Sequence, residues 1–373
     1  MSNAAGGGPE LLNRRRLIIS AVVILLGIGA IYFLLPQLAG LEETWGQLSH
    51  GDALWLAAGA GLEVASLLCY AALFRAVFGR GVSRIDWRAS VDIPLAGIAA
   101  IRLVAAAGAG AVAVTVWALR RAGMSARLIG SRMVANIVVQ YSVYIIALIV
   151  TGLGLWSGAF PGGGSFALTI VPAIIAAAIG LLVLSMGLIP KDFERRLSRM
   201  ASRPGRLGRL AKKLATVPAT MSDGVRGAIR FAAEKPIGLL MAIGYWGFDV
   251  AVLYVSLKAF GANTTVAVVV MGYFLGTLGS LLPLPGGIGG VEGGMIGAFA
   301  AFGLPGGSAV AGVLAYRLIS HWLPTLPGIV GYVALRHDVR RWQEDDEREQ
   351  QAGRDDAKDT TGAAAAPRAA KRT

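Results

Sequence analysis

The sequence predicts an all-α polytopic membrane protein with about six full spans, two re-entrant or broken helical hairpins and an inverted-topology repeat. Three observations lead there. Of 373 residues, 55% are apolar and 15% charged, against about 25% charged in an ordinary soluble domain. The mean hydropathy of +0.62 is concentrated in uncharged stretches long enough to cross a hydrocarbon core of roughly 30 Å as helices. The 35 basic residues outnumber the 22 acidic ones and cluster in particular connections, as they do on the cytoplasmic side of a membrane. This composition excludes a soluble enzyme. The net charge of +13, which in a soluble chain would suggest nucleic acid, is read as a topology signal, and no nucleic-acid partner is expected. The single cysteine, Cys69, sits in an apolar stretch, which excludes an internal disulfide and a thiolate zinc site.

A short N-terminus, 1–16, ends in Arg14, Arg15 and Arg16 and is expected to be cytoplasmic. Leu17 to Leu35 reads as an anchored span rather than a cleaved signal, because its 19 residues are long for a signal core. The next loop carries Glu42, Glu43 and Asp52 and is external. Ala53 to Leu73 returns to a connection rich in Arg75, Arg80, Arg84 and Arg88. Asp92 to Leu119 then begins and ends beside basic clusters, so both its ends should lie inside. Fewer than 30 residues cannot make two crossings of about 20 residues each, and the string Ala105-Ala106-Ala107-Gly108-Ala109-Gly110 supplies a bend. This segment is read as a re-entrant hairpin.

Met133 to Leu155 crosses outward, and Phe166 to Ile189 returns. The loop 190–235 holds twelve basic residues against four acidic ones. Apolar residues recur within it at helical spacing, as in amphipathic helices lying on anionic headgroups. Pro236 to Leu257 crosses outward, Thr264 to Phe302 is either a second hairpin or two crossings, and Ala309 to Leu335 ends at Arg336, Arg340 and Arg341. The transmembrane domain is thus 17–335, with both termini cytoplasmic in a cell (inner or plasma) membrane. Residues 336–373 pair nine basic with nine acidic side chains among few apolar ones, and a disordered tail is expected.

The element order of the second half mirrors the first upside down. Glu63-Val64-Ala65-Ser66-Leu67 is echoed by Asp249-Val250-Ala251-Val252-Leu253. Inverted repeats with broken helices at the midplane are a recurring transporter plan.

Chemistry inside such a bundle is sought at irregular backbone and at buried charge. The run Pro283-Leu284-Pro285-Gly286-Gly287-Ile288-Gly289-Gly290-Val291-Glu292-Gly293-Gly294 breaks any helix within apolar sequence, which is tolerated only inside protein or beside a wet cavity. A half-helix starting near Val291 would aim its amides at an anionic group. Alternatively, Gly286, Gly290 and Gly294 serve close helix packing. The ionisable residues in spans are Glu63, Arg102, Asp249, Glu292, Arg317 and His321, each costly enough to be a functional candidate. The candidate substrate-binding set is therefore Glu63, Arg102, Asp249, Gly286, Gly287, Gly289, Glu292, Arg317 and His321. A structural Arg317–Glu292 ion pair and a packing role for His321 are the competing readings. No metal site, cofactor or catalytic residue is expected, since His50, His321 and His337 fall at no ligand spacing and no phosphate loop is present.

From Ala259 to Tyr332 the chain resembles the flippase-like family that includes the transmembrane region of lysylphosphatidylglycerol synthases. The matching residues are Gly261, the Leu284-to-Glu292 run, Arg317 and Leu323-Pro324. A weaker resemblance covers Leu17 to Leu335, including Arg120-Arg121-Ala122-Gly123-Met124-Ser125. Where the family often carries a Pro and a Glu in its first hairpin, this chain has Ala107-Gly108-Ala109-Gly110-Ala111. The resemblance implies translocation of an anionic lipid-linked headgroup between leaflets, either an aminoacyl-phospholipid or a polyprenyl-phosphate-linked sugar. Membrane lipids would be its partners, together with a separate synthase. Glu292 and Arg317 would hold the headgroup and Arg102 would serve the opposite entrance. A membrane-embedded lipid-modifying transferase and a noncatalytic scaffold are the alternatives.

Overall fold

The computed structural model describes residues 51–103, 109–188, 206–281 and 289–364. The expected first span, the bend at 104–108, and Gly286 and Gly287 lie outside them. Every element described is helical. In chain order these are α1 (Ala53–Phe78), α2 (Trp87–Leu103), α3 (Ala109–Arg121), α4 (Ala126–Trp156), α5 (Phe166–Gly187) and α6 (Arg206–Glu234). There follow α7 (Pro236–Ala259), α8 (Val266–Thr277), α9 (Gly290–Ala301), α10 (Gly306–Arg317) and α11 (Thr325–Ala364). Among them α1, α4, α5, α7 and the continuous stretch Gly306–Ala352 are long and apolar enough to cross a membrane. The outward faces are apolar: Ile174, Ile175, Ile179, Leu181 and Leu182 of α5 are all exposed, as suits a surface solvated by lipid.

Caps set the helix starts where the sequence offers short polar side chains. The Asp52 carboxylate accepts the Leu54 amide at 2.8 Å, Ser125 accepts Leu128 and Thr265 accepts Val268. The Asp52 amide also donates to the Ala259 carbonyl at 3.0 Å, tying the start of α1 to the end of α7. These two helices run antiparallel in close contact, with the Ser66 hydroxyl donating to the Tyr245 carbonyl at 2.9 Å and the Tyr70 and Tyr245 rings stacked at 4.9 Å.

Two further helix pairs fall short of these spans in their described residues. Helices α2 and α3 have 17 and 13 residues, about 26 and 20 Å at 1.5 Å per residue. They lie antiparallel, with Gly97 beside Ala111 and Gly110 against the Ala100 carbonyl. Helices α8 and α9 have 12 residues each, about 18 Å, and are likewise antiparallel, with Gly272 facing Phe299 and Gly276 facing Met295. Within 264–302 the described helices α8 and α9 thus form an antiparallel pair. The two hairpins open toward opposite ends of α4. The first joins α4 directly through Ala122 and Met124. The second is fastened to the loop after α4, where the Thr265 hydroxyl donates to the Pro161 carbonyl at 2.7 Å.

Contacts between the halves are reciprocal: α1 lies on α7, the α2/α3 hairpin lies on α11, and α8 of the second hairpin lies on α4. In the basic loop the described residues form one helix, α6, which covers the expected Leu207, Leu210 and Leu214 segment, while the Phe193, Leu197 and Met200 segment lies outside the described residues. Helix α6 touches the end of α5 at Gly187, the first turns of α4 at Gly130 and Val134, and α7 where Phe231 packs on Gly238.

A disordered tail from 336 was expected, but α11 continues into it as far as Ala364. Leu335 and Val339 are buried and Trp342 packs beside them, while Arg88 pairs with Asp338 at 3.4 Å and Arg84 clasps Asp346 through both carboxylate oxygens. The Arg84 guanidinium holds the Asp346 carboxyl below the usual carboxylate range. A group so depressed contributes to docking above its free pKa and loses that contribution as pH falls through the bound value. A spin label at Gln350 in a Cys69→Ser background should therefore be immobile at pH 7. It should become mobile as pH drops below about 4 and be mobile at all pH in Asp346→Asn; immobility throughout would refute the clasp.

The second hairpin yields a sharper test. A Cβ on Gly279 would meet the Gly290 carbonyl oxygen at 2.0 Å, backbone that has nowhere to go. Gly279→Ala should cost about 1–3 kcal/mol, read as a lower unfolding midpoint in detergent, and an unchanged midpoint would contradict this packing.

Candidate functional site

Halfway through the bundle, five helices bring polar side chains to one depth. Arg317 ends α10, 12 residues in from the end where α10 starts beside the second hairpin, or about 18 Å. Its Nε donates to Glu292 Oε1 at 2.7 Å, and the two side chains are 10% and 16% exposed. Burial of this order makes the pair costly to create and more costly to halve, because either charge alone would be stranded. Glu292 is placed by α9, whose first turn follows Gly289 at φ +84°, a left-handed conformation that glycine adopts without strain. Glu292 Oε2 accepts the Gly289 amide at 2.8 Å. One carboxylate thus spans the half-helix amides and the arginine.

Immediately after Arg317 the helix loosens into a π turn, Leu318–Trp322, a form often found at functional positions in helices. His321 lies within it, buried and edge-on to the Trp322 ring at 5.5 Å. The Thr325 hydroxyl donates to the His321 carbonyl at 3.1 Å, which satisfies one backbone acceptor that the irregular turn displaces.

The neighbouring acid is Asp249 on α7. Its Oδ2 accepts the Tyr273 hydroxyl of α8 at 2.5 Å and the Tyr316 hydroxyl of α10 at 3.3 Å. Tyr273 and Tyr316 themselves meet edge-to-face at 6.1 Å. Glu63 is buried on α1. Along the α1/α7 seam Gly59 faces Val252 and Val255, and Cys69 faces Gly244. These contacts bracket Glu63 at the level of Asp249.

The structure therefore gathers Asp249, Gly289, Glu292, Arg317 and His321 around the second hairpin and the π turn, with Glu63 across the α1/α7 seam. Arg102 is in the last turn of α2, in the other hairpin; its side chain, like Gly286 and Gly287, lies outside the described part. Close packing also holds, since a Cβ on Gly294 would lie 3.0 Å from the Gly276 carbonyl oxygen. Sequence reasoning did not single out Tyr273 and Tyr316. The available signal was a phenol inside an apolar helix, which needs a hydrogen-bond partner, and the adjacency of Tyr316 to Arg317.

Comparison with known proteins places the chain among membrane proteins. A family model described as the lysylphosphatidylglycerol synthase TM region matches residues 17–328. Curated relatives are UPF0104 membrane proteins of Methanothermobacter thermautotrophicus. One match is 34% identical over 113 residues, 30% of this chain and 32% of the relative. Another is 32% identical over 117 residues, 30% of this chain and 35% of the relative. The aligned stretch spans about a third of the length of these relatives.

If the buried pair is held as described, Arg317→Met alone should destabilise the protein by about 3–5 kcal/mol by stranding Glu292. The double variant Arg317→Met/Glu292→Gln keeps an acceptor for the Gly289 amide and should recover most of that loss. Equal destabilisation by the single and double variants in thermal unfolding would show that the two side chains do not act as a pair.

Proposed function

The chain belongs to the lysylphosphatidylglycerol synthase transmembrane-region family, and from that premise we propose that it carries an anionic lipid-linked headgroup between leaflets. The observation that carries this reading is the Arg317–Glu292 pair at 2.7 Å, set where a broken hairpin meets a π turn. A full helix has no amides to offer at this depth. The first turn of α9 does, and its partial positive charge adds to that of Arg317.

In the resting arrangement the Glu292 carboxylate occupies both. A phosphate-bearing headgroup presents the same acceptor chemistry, and Arg binds phosphate as a planar fork. The proposed step is therefore an exchange in which the headgroup phosphate replaces Glu292 on Arg317 and on the Gly289 amide. Glu292 restores the pair when the headgroup leaves. The tyrosine hydroxyls on Asp249 would keep that carboxylate from competing for Arg317. Arg102 would receive the headgroup at the other hairpin, and the reciprocal contacts of the two halves support an inverted repeat with one entrance per face.

The basic face, with Arg75, Arg80, Arg84, Arg88, Arg120 and Arg121, would be cytoplasmic in a cell membrane. On this reading the chain is a carrier and not an enzyme. Its substrate is an aminoacyl-phospholipid or a polyprenyl-phosphate-linked sugar, made by a separate synthase.

The stable double variant Arg317→Met/Glu292→Gln separates a transport role from a structural one. In proteoliposomes holding fluorescent lysyl-phosphatidylglycerol or a fluorescent polyprenyl-phosphate sugar, its leaflet exchange should fall by at least about tenfold, as expected for loss of a charged hydrogen bond to the substrate. Native rates for both probes in a well-folded double variant would remove the pair from the transport path.

A further inference from the structure

On the basic face, far from Arg317 along the chain's helices, the ends of α1, α4 and α6 enclose a groove of about 230 Å³. Its floor is apolar, with Val77 and Phe231 among the lining residues, and its walls carry Arg80, Arg132 and Arg230. Three guanidinium groups stand there against one carboxylate, Glu234.

The three arginines are not equivalent. Arg132 is fixed: its Nη1 donates to the Phe78 carbonyl at 2.8 Å and its Nη2 to the Arg80 carbonyl at 2.7 Å. It thereby satisfies acceptors that the end of α1 leaves open, and it pins a positive charge at the base of the groove. Arg80 reaches Glu234 only at 3.6 Å, with both side chains more than half exposed at 57% and 56%, a contact of the kind that holds a side chain weakly. Arg230 is exposed on the opposite wall. One rigid cation thus lies between two that can swing onto a ligand.

The ligand that fits has two parts. Arginine forks match the oxygens of a phosphate, while the floor lies at the turns where α1 and α4 enter the apolar layer. A soluble anion would use the walls and leave the floor unused. We propose that this groove binds the phosphodiester of an anionic phospholipid from the leaflet on the basic face, with its glycerol backbone over Val77 and Phe231. The site is separate from the Arg317–Glu292 pair and holds whether or not the chain moves lipid between leaflets. By seating a lipid between α1, α4 and α6, it fixes the amphipathic helix to the span ends.

Native mass spectrometry of the full chain in detergent tests this with three probes: phosphatidylglycerol, phosphatidylcholine and glycerol phosphate. Arg132 is left intact because of its structural contacts. The unmodified chain should retain phosphatidylglycerol over phosphatidylcholine, and Arg80→Gln/Arg230→Gln should lower that retention on the order of tenfold or more, with an unchanged unfolding midpoint. Retention equal to that of the unmodified chain overturns the site. Binding of glycerol phosphate as strong as that of phosphatidylglycerol overturns the lipid assignment, since the apolar floor would then contribute nothing. A parallel measurement with Arg317→Met/Glu292→Gln should show native retention; a matching loss there would merge the groove with the transport site and refute its independence.

Discussion

An arginine buried halfway through a lipid-solvated bundle has to be held by a carboxylate, and that requirement organises the second half of this protein. Glu292 meets it only because α9 begins where it does. A continuous helix in place of the second hairpin would carry Glu292 away from Arg317 and would offer no free amide at Gly289. The break in the chain, the glycine at φ +84° and the ion pair are one device, since each is unfavourable in hydrocarbon without the others. The π turn after Arg317 belongs to it as well, because it displaces the helix at the level where the pair sits.

The hairpins are made possible by an absence of side chains. Helix α8 and the 3-10 turn after it approach α9 until the backbones touch, Gly279 on Gly290 and Gly276 on Met295. Such contact replaces the hydrophobic driving force that helices lack in lipid. The first hairpin uses the same means more sparingly, at Gly97 and Gly110, and leans on α11 through Gly328 and Gly331. Each hairpin is thus backed by a helix of the other half. That arrangement brings the α1/α7 pair, with Glu63 and Asp249, to the middle of the bundle.

Much of this was legible in the sequence because membrane solvation is severe. Charges such as Glu292 and Arg317 stand out in apolar stretches, and basic loops mark one face. The antiparallel pair α2/α3 matches the fold-back expected from its flanking charge and its length. The pairing of α8 with α9 did not follow in the same way, since charge parity is the same for a hairpin and for two crossings. Its antiparallel packing rests on Gly272 and Gly276 of α8 and on Gly279 in the turn after it, lying against α9, a pattern that needs both partners to be read. Tyr273 and Tyr316 escaped notice because tyrosine is unremarked in an apolar helix until its hydroxyl is seen on Asp249. The tail misled for a different reason. Its balanced charge lacks the apolar content of a core, but Leu335, Val339 and Trp342 need only the flank of the first hairpin, and Arg84 and Arg88 supply partners for Asp346 and Asp338.

The central claim is that the helix pairs α2/α3 and α8/α9 each begin and end on one face, and that the two faces are opposite. Impermeant thiol labelling tests it directly, with single cysteines placed at Gly81, Gly123, Gly261 and Gly303 in a Cys69→Ser background and reagent applied to sealed vesicles of known orientation. All four lie at turns with positive φ and open space around the added atom, and the first two flank one hairpin as the last two flank the other. The account requires Gly81 and Gly123 to label from one side and Gly261 and Gly303 from the other. Labelling of either pair from both sides, one member each, would mean that the segment between them crosses the membrane, and the polar site at Glu292 would lose its structural basis.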